Sequence, residues 1–307
     1  MIKTPIRDVF VVLNPVAGLT NAEVVRQSIV RACRELGWDV KIHETSPDDD
    51  LRKIVKQAVD QRADLVIAAG GDGTVSGVAS AMVNSGKPIG ILPTGTGNVL
   101  ARELGIPLNL EEALALLRGP NHVRILDAMQ INGDYYVLNA SIGISSEVIK
   151  ETRREEKRRF GMLAYVWHAV RSILRSDMHR FDVRVDGRSY RFSATEVMIT
   201  NTNPLGLPVM RNDLSIDVGD GRLDLFILRA RNIRDYINIL VKILLGLPWK
   251  NDWTLRYLEI RESAEVRTKL PLPVQADGEA IGHTPVVLSV VPGSLKIIVP
   301  ERAAGTA

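Results

Sequence analysis

The sequence of 307 residues contains one cysteine, Cys33, and this scarcity excludes several kinds of protein. A single thiol cannot form an internal disulfide or supply a multi-cysteine zinc site, and it is typical of the reducing cytosol. Cys33 recurs with Val25 and Ile29 at helical spacing on an apolar side, which indicates a core residue rather than a nucleophile. We therefore predict a cytoplasmic protein.

The chain also lacks a long apolar segment. Its most lipid-like stretch, residues 237–249, is interrupted by Lys242, and it is shorter than the about 20 apolar residues that a spanning helix needs. The first residues, Met1 to Pro5, are not followed by the apolar run and small-residue cleavage site of a signal peptide. We expect neither a membrane-spanning helix nor a secretion signal.

The chain has no large excess of charge of either sign, and it lacks several catalytic motifs. Lys and Arg number 39 against 36 Asp and Glu, a net charge of +3, which permits contact with phosphates or an anionic membrane but does not indicate a nucleic-acid partner. No G-x-G-x-x-G, G-x-x-x-x-G-K-[ST] or G-x-S-x-G motif occurs, and the histidines show no metal-binding spacing. These absences argue against a dinucleotide oxidoreductase, a P-loop protein, an α/β-hydrolase and a zinc enzyme.

The two halves of the chain differ in pattern. Up to residue 127, short buried-strand runs near 9–13, 40–42, 65–69 and 89–92 alternate with helical segments, which predicts an α/β domain with a parallel sheet. Residues 128–307 show longer alternating runs separated by the turn dipeptides Asn132-Gly133, Asp186-Gly187, Asp220-Gly221 and Asp277-Gly278. This pattern predicts a mostly antiparallel β domain, with helical insertions near 150–175 and 233–247. A return of the last strand to the first domain is left open.

Glycine-rich turns follow two consecutive strands of the first half. Residues 70–74 (GGDGT) follow the third strand and precede a helical run from Val75, and residues 92–98 (LPTGTGN) follow the fourth. Ligands of a parallel sheet bind beyond the carboxyl ends of its strands, where backbone N–H groups of such turns can approach a phosphate. One turn alone would be weak evidence, but the pair predicts a shared anion site of nucleotide size.

These motifs resemble the diacylglycerol kinase catalytic-domain family, which includes bacterial lipid kinases and sphingosine kinases. The resemblance rests on Asn14-Pro15-x-x-Gly18, the two glycine-rich turns, residues 220–224 (DGRLD) and residues 277–279 (DGE), in that order over nearly the whole chain. NAD kinases and phosphofructokinases share GGDGT, whereas the later motifs are fairly specific for lipid kinases. The resemblance implies an ATP-binding α/β domain, a β-rich lipid-substrate domain and catalysis in the cleft between them.

The resemblance also implies the roles of individual residues. Those that would bind ATP or support its loops are Asn14, Thr45, Gly70, Gly71, Asp72, Gly73, Thr74, Gly95, Thr96 and Asn98. Asp72 would also serve a catalytic Mg²⁺, and Glu279 would be the base for the lipid hydroxyl. A second, structural Mg²⁺ would be held by the carbonyls of Asp217 and Arg222 and the side chain of Asp220. Without the resemblance, residues 277–279 would be interpreted as a hairpin turn with a solvated Glu.

We therefore predict a kinase of phospholipid metabolism that transfers the γ-phosphate of ATP to a hydroxyl of diacylglycerol or a related lipid. Val99 departs from the pattern of many bacterial members, which place Asp after the Asn of the second turn, and it resembles the sphingosine kinase version. We expect a thinner metal network for that reason. An NAD kinase-like enzyme with a soluble substrate and a nucleotide-binding regulatory protein without turnover are the alternatives.

A lipid substrate implies peripheral contact with the inner face of a membrane. One candidate segment begins with the basic residues Arg153, Arg154, Lys157, Arg158 and Arg159, and the other is the apolar run 237–249. For the first segment an ordinary amphipathic helix with a solvated charged start is the favoured explanation, and for the second a helix packed on the β domain is favoured. A homodimer is left open.

Overall fold

The structure, a computed structural model, describes residues 6–18, 21–143, 177–202, 217–230, 232–244 and 253–301. The chain forms two compact units. The first comprises Met1–Ala128 and Val291–Ala307, and the second comprises Met129–Val290. The first unit is therefore built from both ends of the chain.

The first unit contains a parallel sheet with strand order β2-β1-β3-β4-β16. The strands are β1 (Asp8–Leu13), β2 (Asp39–Glu44), β3 (Leu65–Gly70), β4 (Pro88–Pro93) and the last part of β16 (Val286–Pro300). The helices are α1 (Ala22–Glu35), α2 (Leu51–Asp60), α3 (Asp72–Met82), α4 (Val99–Glu103) and α5 (Leu110–Arg118). Every residue of β3 is buried, as expected for a parallel strand covered on both faces.

Local sequence signals explain the boundaries of α1. The Asn21 side chain accepts the backbone N–H of Glu23 at 2.8 Å and caps the first turn. Val25, Ile29 and Cys33 are buried along one side of the helix. The helix ends just before Gly37, whose φ of +68° suits glycine. The predicted core position of Cys33 is confirmed.

Helix α3 begins earlier than the sequence pattern predicts. It starts at Asp72 instead of Val75, because Gly71 is extended and its carbonyl accepts the N–H groups of Thr74 and Val75, both at 3.0 Å. The GGDGT motif is thus the end of a strand, one extended residue and the first helical turn. Three of its residues belong to a helix N-terminus, where backbone N–H groups lack intrahelical acceptors.

The second unit is mostly antiparallel. Its elements are the end of β5 (Asn121–Ile131), β6 (Asp134–Tyr136), β7 (Asn139–Gly143), β8 (His179–Val185), β9 (Arg188–Ala194), β10 (Glu196–Thr200), β11 (Leu223–Leu228), α6 (Ile233–Leu244), β12 (Leu255–Ile260), β13 (Ser263–Thr268), β14 (Pro273–Ala276), β15 (Glu279–His283) and the start of β16. One sheet has the order β12-β11-β10-β7-β14-β15, and the other has β16-β13-β8-β9. A single apolar cluster, which includes Ile142, Phe181 and Leu225, joins residues of both sheets.

The predicted fold class is confirmed in both units. Turns at 132–133, 186–187 and 277–278 close hairpins, with register pairs Ile131↔Asp134, Val185↔Arg188 and Ala276↔Glu279. Asp220-Gly221 lies in a turn before β11. The predicted insertion 150–175, with its basic residues, lies outside the described residues, as does the end of the run 237–249. The helices in the described part of the chain are too short or too polar to cross a membrane.

Candidate active site

The strand order of the first unit brings several predicted site residues to one edge. Strands β2 and β3 lie on opposite sides of β1, so the carboxyl ends of β1 and β3 flank a topological switch point, the usual ligand position in such sheets. Asn14, just after β1, donates its side-chain N–H to Thr74 Oγ1 at 3.2 Å. The N–H of Thr94, after β4, bonds to the carbonyl of Gly70 at 3.1 Å. The loops after β1, β3 and β4 therefore form one structure.

Glycines allow these loops to pack backbone against backbone. A Cβ on Gly95 would lie 2.5 Å from Gly71 Cα, and a Cβ on Gly18 would lie 1.9 Å from the carbonyl oxygen of Thr94. Gly18 also has a φ of +71°, which other residues rarely adopt. Side chains at these positions would force the loops apart.

Asp72 ties the first glycine loop to the second. Its Oδ1 accepts the backbone N–H of Val99 at 2.6 Å. Asn98 has left-handed geometry and gives α4 no side-chain cap, so Asp72 supplies the acceptor at that helix start. Asp72 Oδ2 lies where a side chain on Gly97 would be, 2.4 Å from its ideal Cβ. Sequence reasoning considered only the side chain of Val99 and missed both Gly97 and this backbone contact.

The edge has the properties of an anion site. The N–H groups of Asp72 and Gly73, at the start of α3, have no acceptor among the described residues. A Cβ on Gly73 would meet nothing within 4 Å, and the buried Oγ1 of Thr94 has no hydrogen-bond partner in the described structure. Free N–H groups at the positive end of a helix dipole favour a phosphate. A phosphate group therefore fits the residues present.

The remaining predicted nucleotide residues lie on the same loops or next to them. Thr45 follows β2, and its N–H bonds to the Leu13 carbonyl at 2.8 Å. The loop after Thr45 is held by Asp49, whose carboxylate accepts Ser46 N–H at 2.9 Å and contacts His43 Nε2 at 2.7 Å. These bonds, the one from the Ser46 backbone first, lower the pKa of Asp49.

The second glycine loop is closed by its own asparagine. Asn98 is buried and exchanges two hydrogen bonds with Gly95, at 2.7 and 3.2 Å. Thr96, between them, is exposed. The loop is thus rigid at its base and presents a hydroxyl-bearing residue to solvent.

Glu279 lies in the second unit, as the first residue of β15. It is exposed and follows the Asp277-Gly278 turn. The Asp277 carboxylate is partly buried and accepts the backbone N–H groups of Val137, Leu138 and Asn139 at 2.9, 2.9 and 3.1 Å. Burial raises the pKa of Asp277 to about 6, the charge of Glu279 adds to the rise, and the three hydrogen bonds oppose it.

The three predicted ligands of a structural Mg²⁺ share one turn of the second unit. The Asp217 carbonyl accepts Asp220 N–H at 3.3 Å, and Asp220 Oδ1 accepts Arg222 N–H at 3.1 Å. Arg222 also pairs with Glu259 at 3.1 Å. The described residues contain no cluster of three metal-binding side chains, but only one of the three predicted ligands is a side chain, and Mg²⁺ accepts carbonyl and water oxygens as its other ligands.

A partly buried acid lies next to this turn. Asp224 accepts the Tyr257 hydroxyl at 2.6 Å. Burial raises the pKa of Asp224 to about 6, the hydrogen bond from Tyr257 opposes the rise, and the charges of Asp220 and Glu259 add to it. The turn therefore sits in a locally acidic environment.

A parallel sheet whose switch point carries two interlocked glycine loops and a helix N-terminus defines an α/β protein with a candidate site for a phosphate group. Comparison with known families narrows this class. Residues 8–131 match the diacylglycerol kinase catalytic domain, and residues 139–299 match the YegS C-terminal NAD kinase beta sandwich-like domain. The chain belongs to the family of diacylglycerol kinases and YegS-like lipid kinases, and the predicted resemblance is confirmed.

Individual relatives align along most of their length. A Pseudomonas aeruginosa protein named "Probable lipid kinase YegS-like" is 30% identical over 289 residues, which are 91% of this chain and 90% of that protein. A Bacillus subtilis diacylglycerol kinase is 26% identical over 299 residues, 96% of this chain and 97% of the relative. The crystal structure of a Bacillus anthracis diacylglycerol kinase superimposes with a TM-score of 0.79 at 26% identity, covering 97% of this chain and 98% of that one.

Proposed function

We propose that the protein is an ATP-dependent lipid kinase that phosphorylates a hydroxyl of diacylglycerol or a related lipid, as a step of phospholipid metabolism. Among its observed features, the two glycine loops that Asp72 locks together at the switch point carry most weight. Membership of a lipid kinase family supplies the class of acceptor.

The first unit would bind the triphosphate. The N–H groups of Asp72 and Gly73 would donate to phosphate oxygens, and Thr96 would contact the nucleotide from the second loop. Asn14 would hold Thr74, and through it the start of α3, in place. A Mg²⁺ ion served by Asp72 would, when bound, offset the negative charge of the phosphates.

The second unit would supply the base. We assign this role to Glu279, which would accept the proton of the lipid hydroxyl as the oxygen attacks the γ-phosphate in line with the departing ADP. The exposed carboxylate at the start of β15 is accessible to such a substrate. Asp217, Asp220 and Arg222 would hold the structural Mg²⁺ through the two carbonyls and one carboxylate described above.

Replacing Glu279 tests this assignment. The substitution Glu279→Gln removes the basic oxygen but keeps the shape, so turnover of detergent-dispersed diacylglycerol with labelled ATP is expected to fall by about 10²- to 10⁴-fold. ATP affinity, measured by calorimetry, is expected to stay the same. Glu262→Gln, at another exposed Glu of the second unit, is the matched control. Equal turnover of the two variants would exclude Glu279 as the base.

A second candidate is favoured by the sandwich domain of the second unit, whose family description names NAD kinase. An NAD kinase-like enzyme would phosphorylate soluble NAD instead of a lipid. Parallel assays with NAD and with dispersed lipids decide between the two acceptors. ATP binding without transfer to either acceptor would instead indicate a nucleotide-binding regulatory protein.

A lipid acceptor requires contact with the membrane surface, and we place this contact at the inner face of the membrane. Helix α6 of the second unit is the described part of the two segments that sequence analysis selected.

A further inference from the structure

Two hairpin turns of the second unit share an arrangement that involves an aspartate. Asp186, in the turn between β8 and β9, accepts the N–H of Arg261 on one carboxylate oxygen at 2.9 Å. Its other oxygen accepts the N–H groups of Glu262 and Ser263 at 2.9 and 3.0 Å. The backbone N–H of Asp186 returns a bond to the Ser263 carbonyl at 3.0 Å. We call this four-bond arrangement an aspartate clamp.

Asp277 forms a second clamp with the same pattern. One carboxylate oxygen accepts the N–H of Val137, the other accepts those of Leu138 and Asn139, and the backbone N–H of Asp277 bonds to the Asn139 carbonyl at 2.9 Å. Both aspartates have positive φ, +46° for Asp186 and +49° for Asp277, and both precede a glycine. In each case the clamped backbone leads into the strand beside the hairpin, β13 or β7.

The two clamps differ in what they hold. The Asp186 hairpin is followed by Arg188, at the start of an alternating, partly exposed strand. The Asp277 hairpin is followed by Glu279, the base of the proposed function. The two aspartates also differ in the cost of holding their negative charge. At Asp277 burial outweighs the hydrogen bonds and raises the pKa. At Asp186 the same kind of hydrogen bonds outweigh burial and lower the pKa.

A second set of bonds strengthens only the Asp277 hairpin. The Gln275 side chain is buried, accepts the N–H of Gly278 at 3.0 Å and donates to Ser141 Oγ at 2.8 Å and Asn139 Oδ1 at 3.2 Å. The turn before Glu279 is therefore tied to β7 from both sides.

Glu279 depends on these ties for its position. No side chain among the described residues holds its carboxylate, and β15 is an exposed edge strand. The pairing of β14 with β15 shifts register between Val274 and Gln275, so the regular ladder next to the turn is short and consists of the pairs Gln275↔Ala280 and Ala276↔Glu279. The position of the Glu279 carboxylate therefore depends on the backbone of residues 277–279, which must be held as accurately as a base requires.

We infer that Asp277, supported by Gln275, is the positioning residue of Glu279. The Asp277 clamp fixes the turn against the start of β7 and so aims the carboxylate that follows it. This inference rests on the proposed function, because Glu279 needs aiming only if it acts on a substrate.

The twin clamp provides a matched control. Asp277→Asn and Asp186→Asn each keep one acceptor oxygen and replace the other by an NH₂ group that cannot accept a bond. A purely structural role predicts similar effects of the two substitutions. Positioning predicts that Asp277→Asn alone lowers kcat by about 10- to 100-fold, the usual consequence of a misplaced group, with an unchanged KM for ATP. Asp186→Asn is expected to retain full kcat.

Hydrogen exchange separates failure of the inference from failure of the function. In Asp277→Asn, the amides of residues 137–139 and of β15 are expected to exchange faster, whether or not the lipid assay works. Unchanged exchange at these amides, or a kcat equal to that of Asp186→Asn, would overturn the positioning role. If the wild type phosphorylates no lipid while the exchange result holds, the proposed function fails and the clamp remains as a structural device only.

Discussion

Single residues decide how the glycine loops of the first unit meet. The sequence predicts that the Asp72 carboxylate serves ATP and Mg²⁺. In the structure the same carboxylate also accepts the backbone N–H of Val99. The apolar side chain of Val99 therefore does not remove the second loop from the Asp72 network, because the contact comes from the backbone. This backbone contact was invisible in the sequence, since every residue except proline offers the same N–H group.

Replacement by alanine is expected to change the stability of the protein differently at two glycines of these loops. A Cβ on Gly97 would collide with the Asp72 carboxylate, so Gly97→Ala should lower the free energy of unfolding by about 1–3 kcal/mol. A Cβ on Gly73 meets open space in the first turn of α3, so Gly73→Ala should leave stability unchanged or raise it by up to about 1 kcal/mol. Thermal unfolding of both variants measures the difference.

The same Gly73→Ala protein also tests the phosphate site. If a phosphate approaches the N–H of Gly73, the added methyl group should obstruct it and weaken ATP binding by about tenfold, or about 1.4 kcal/mol. Calorimetric titration of ATP gives this value directly. A stable variant with wild-type affinity would remove Gly73 from the phosphate contacts.

Helix α6 packs on a sheet with one side and faces solvent with the other. Ile239 packs with Phe226 and Tyr257 on the face of the sheet that points away from the main core. Ile237 and Val241, one turn apart on the opposite side, are 54% and 42% exposed. Exposed Arg234 lies on the same side by helical spacing. The packed side agrees with the interpretation of this segment as a helix on the β domain, and the exposed side is the one that a membrane contact would use.

An anionic lipid surface suits the outer side of α6. Branched apolar side chains next to an arginine are typical of helices that lie in a membrane interface, and an exposed tryptophan, Trp253, lies near the start of β12. The double substitution Ile237→Ser with Val241→Ser is expected to weaken binding to phosphatidylglycerol vesicles by about tenfold or more, given about 1.5–3 kcal/mol for each buried aliphatic side chain. Co-sedimentation measures the bound fraction.

Two valines elsewhere serve as the control for this experiment. Val24 and Val287 are exposed to similar extents, 52% and 54%, and their replacement by serine should not change vesicle binding. Activity on detergent-dispersed lipid should be the same in both double variants, because neither pair belongs to the reaction site. Equal vesicle binding by the two double variants would exclude α6 as the contact.

Whether a feature of the whole molecule can be predicted from sequence depends on how far apart in the chain its contacting residues lie. Buried strands alternating with capped helices predict the first unit well, because each signal is local to its element. The contacts that shape the sites are not local. Asp277 binds N–H groups 138–140 residues earlier in the chain, and β16 pairs with β13 at its start and with β4 at its end. Nothing in an Asp-Gly dipeptide or an alternating strand specifies such partners.

The pH dependence of stability belongs to the whole molecule, but the contribution of the partly buried acid Asp277 can be measured separately. Its pKa rises from 3.8 to about 6 on folding, so the folded state binds a proton more tightly than the unfolded state. This stabilisation is complete below the unfolded pKa and is lost as pH rises through the folded pKa. A rise of this size corresponds to about 3 kcal/mol, lost mostly between about pH 4 and pH 6.

Other carboxyl groups change stability in both directions, since Asp224 has a raised pKa and Asp49 and Asp186 have lowered ones. Comparison with Asp277→Asn cancels these shared contributions. Urea unfolding at a series of pH values is expected to show wild type losing stability relative to the variant as pH rises from about 4 to about 7. Parallel curves for the two proteins would mean that Asp277 keeps its ordinary pKa in the folded state, because the three clamped N–H groups then offset the whole cost of its burial.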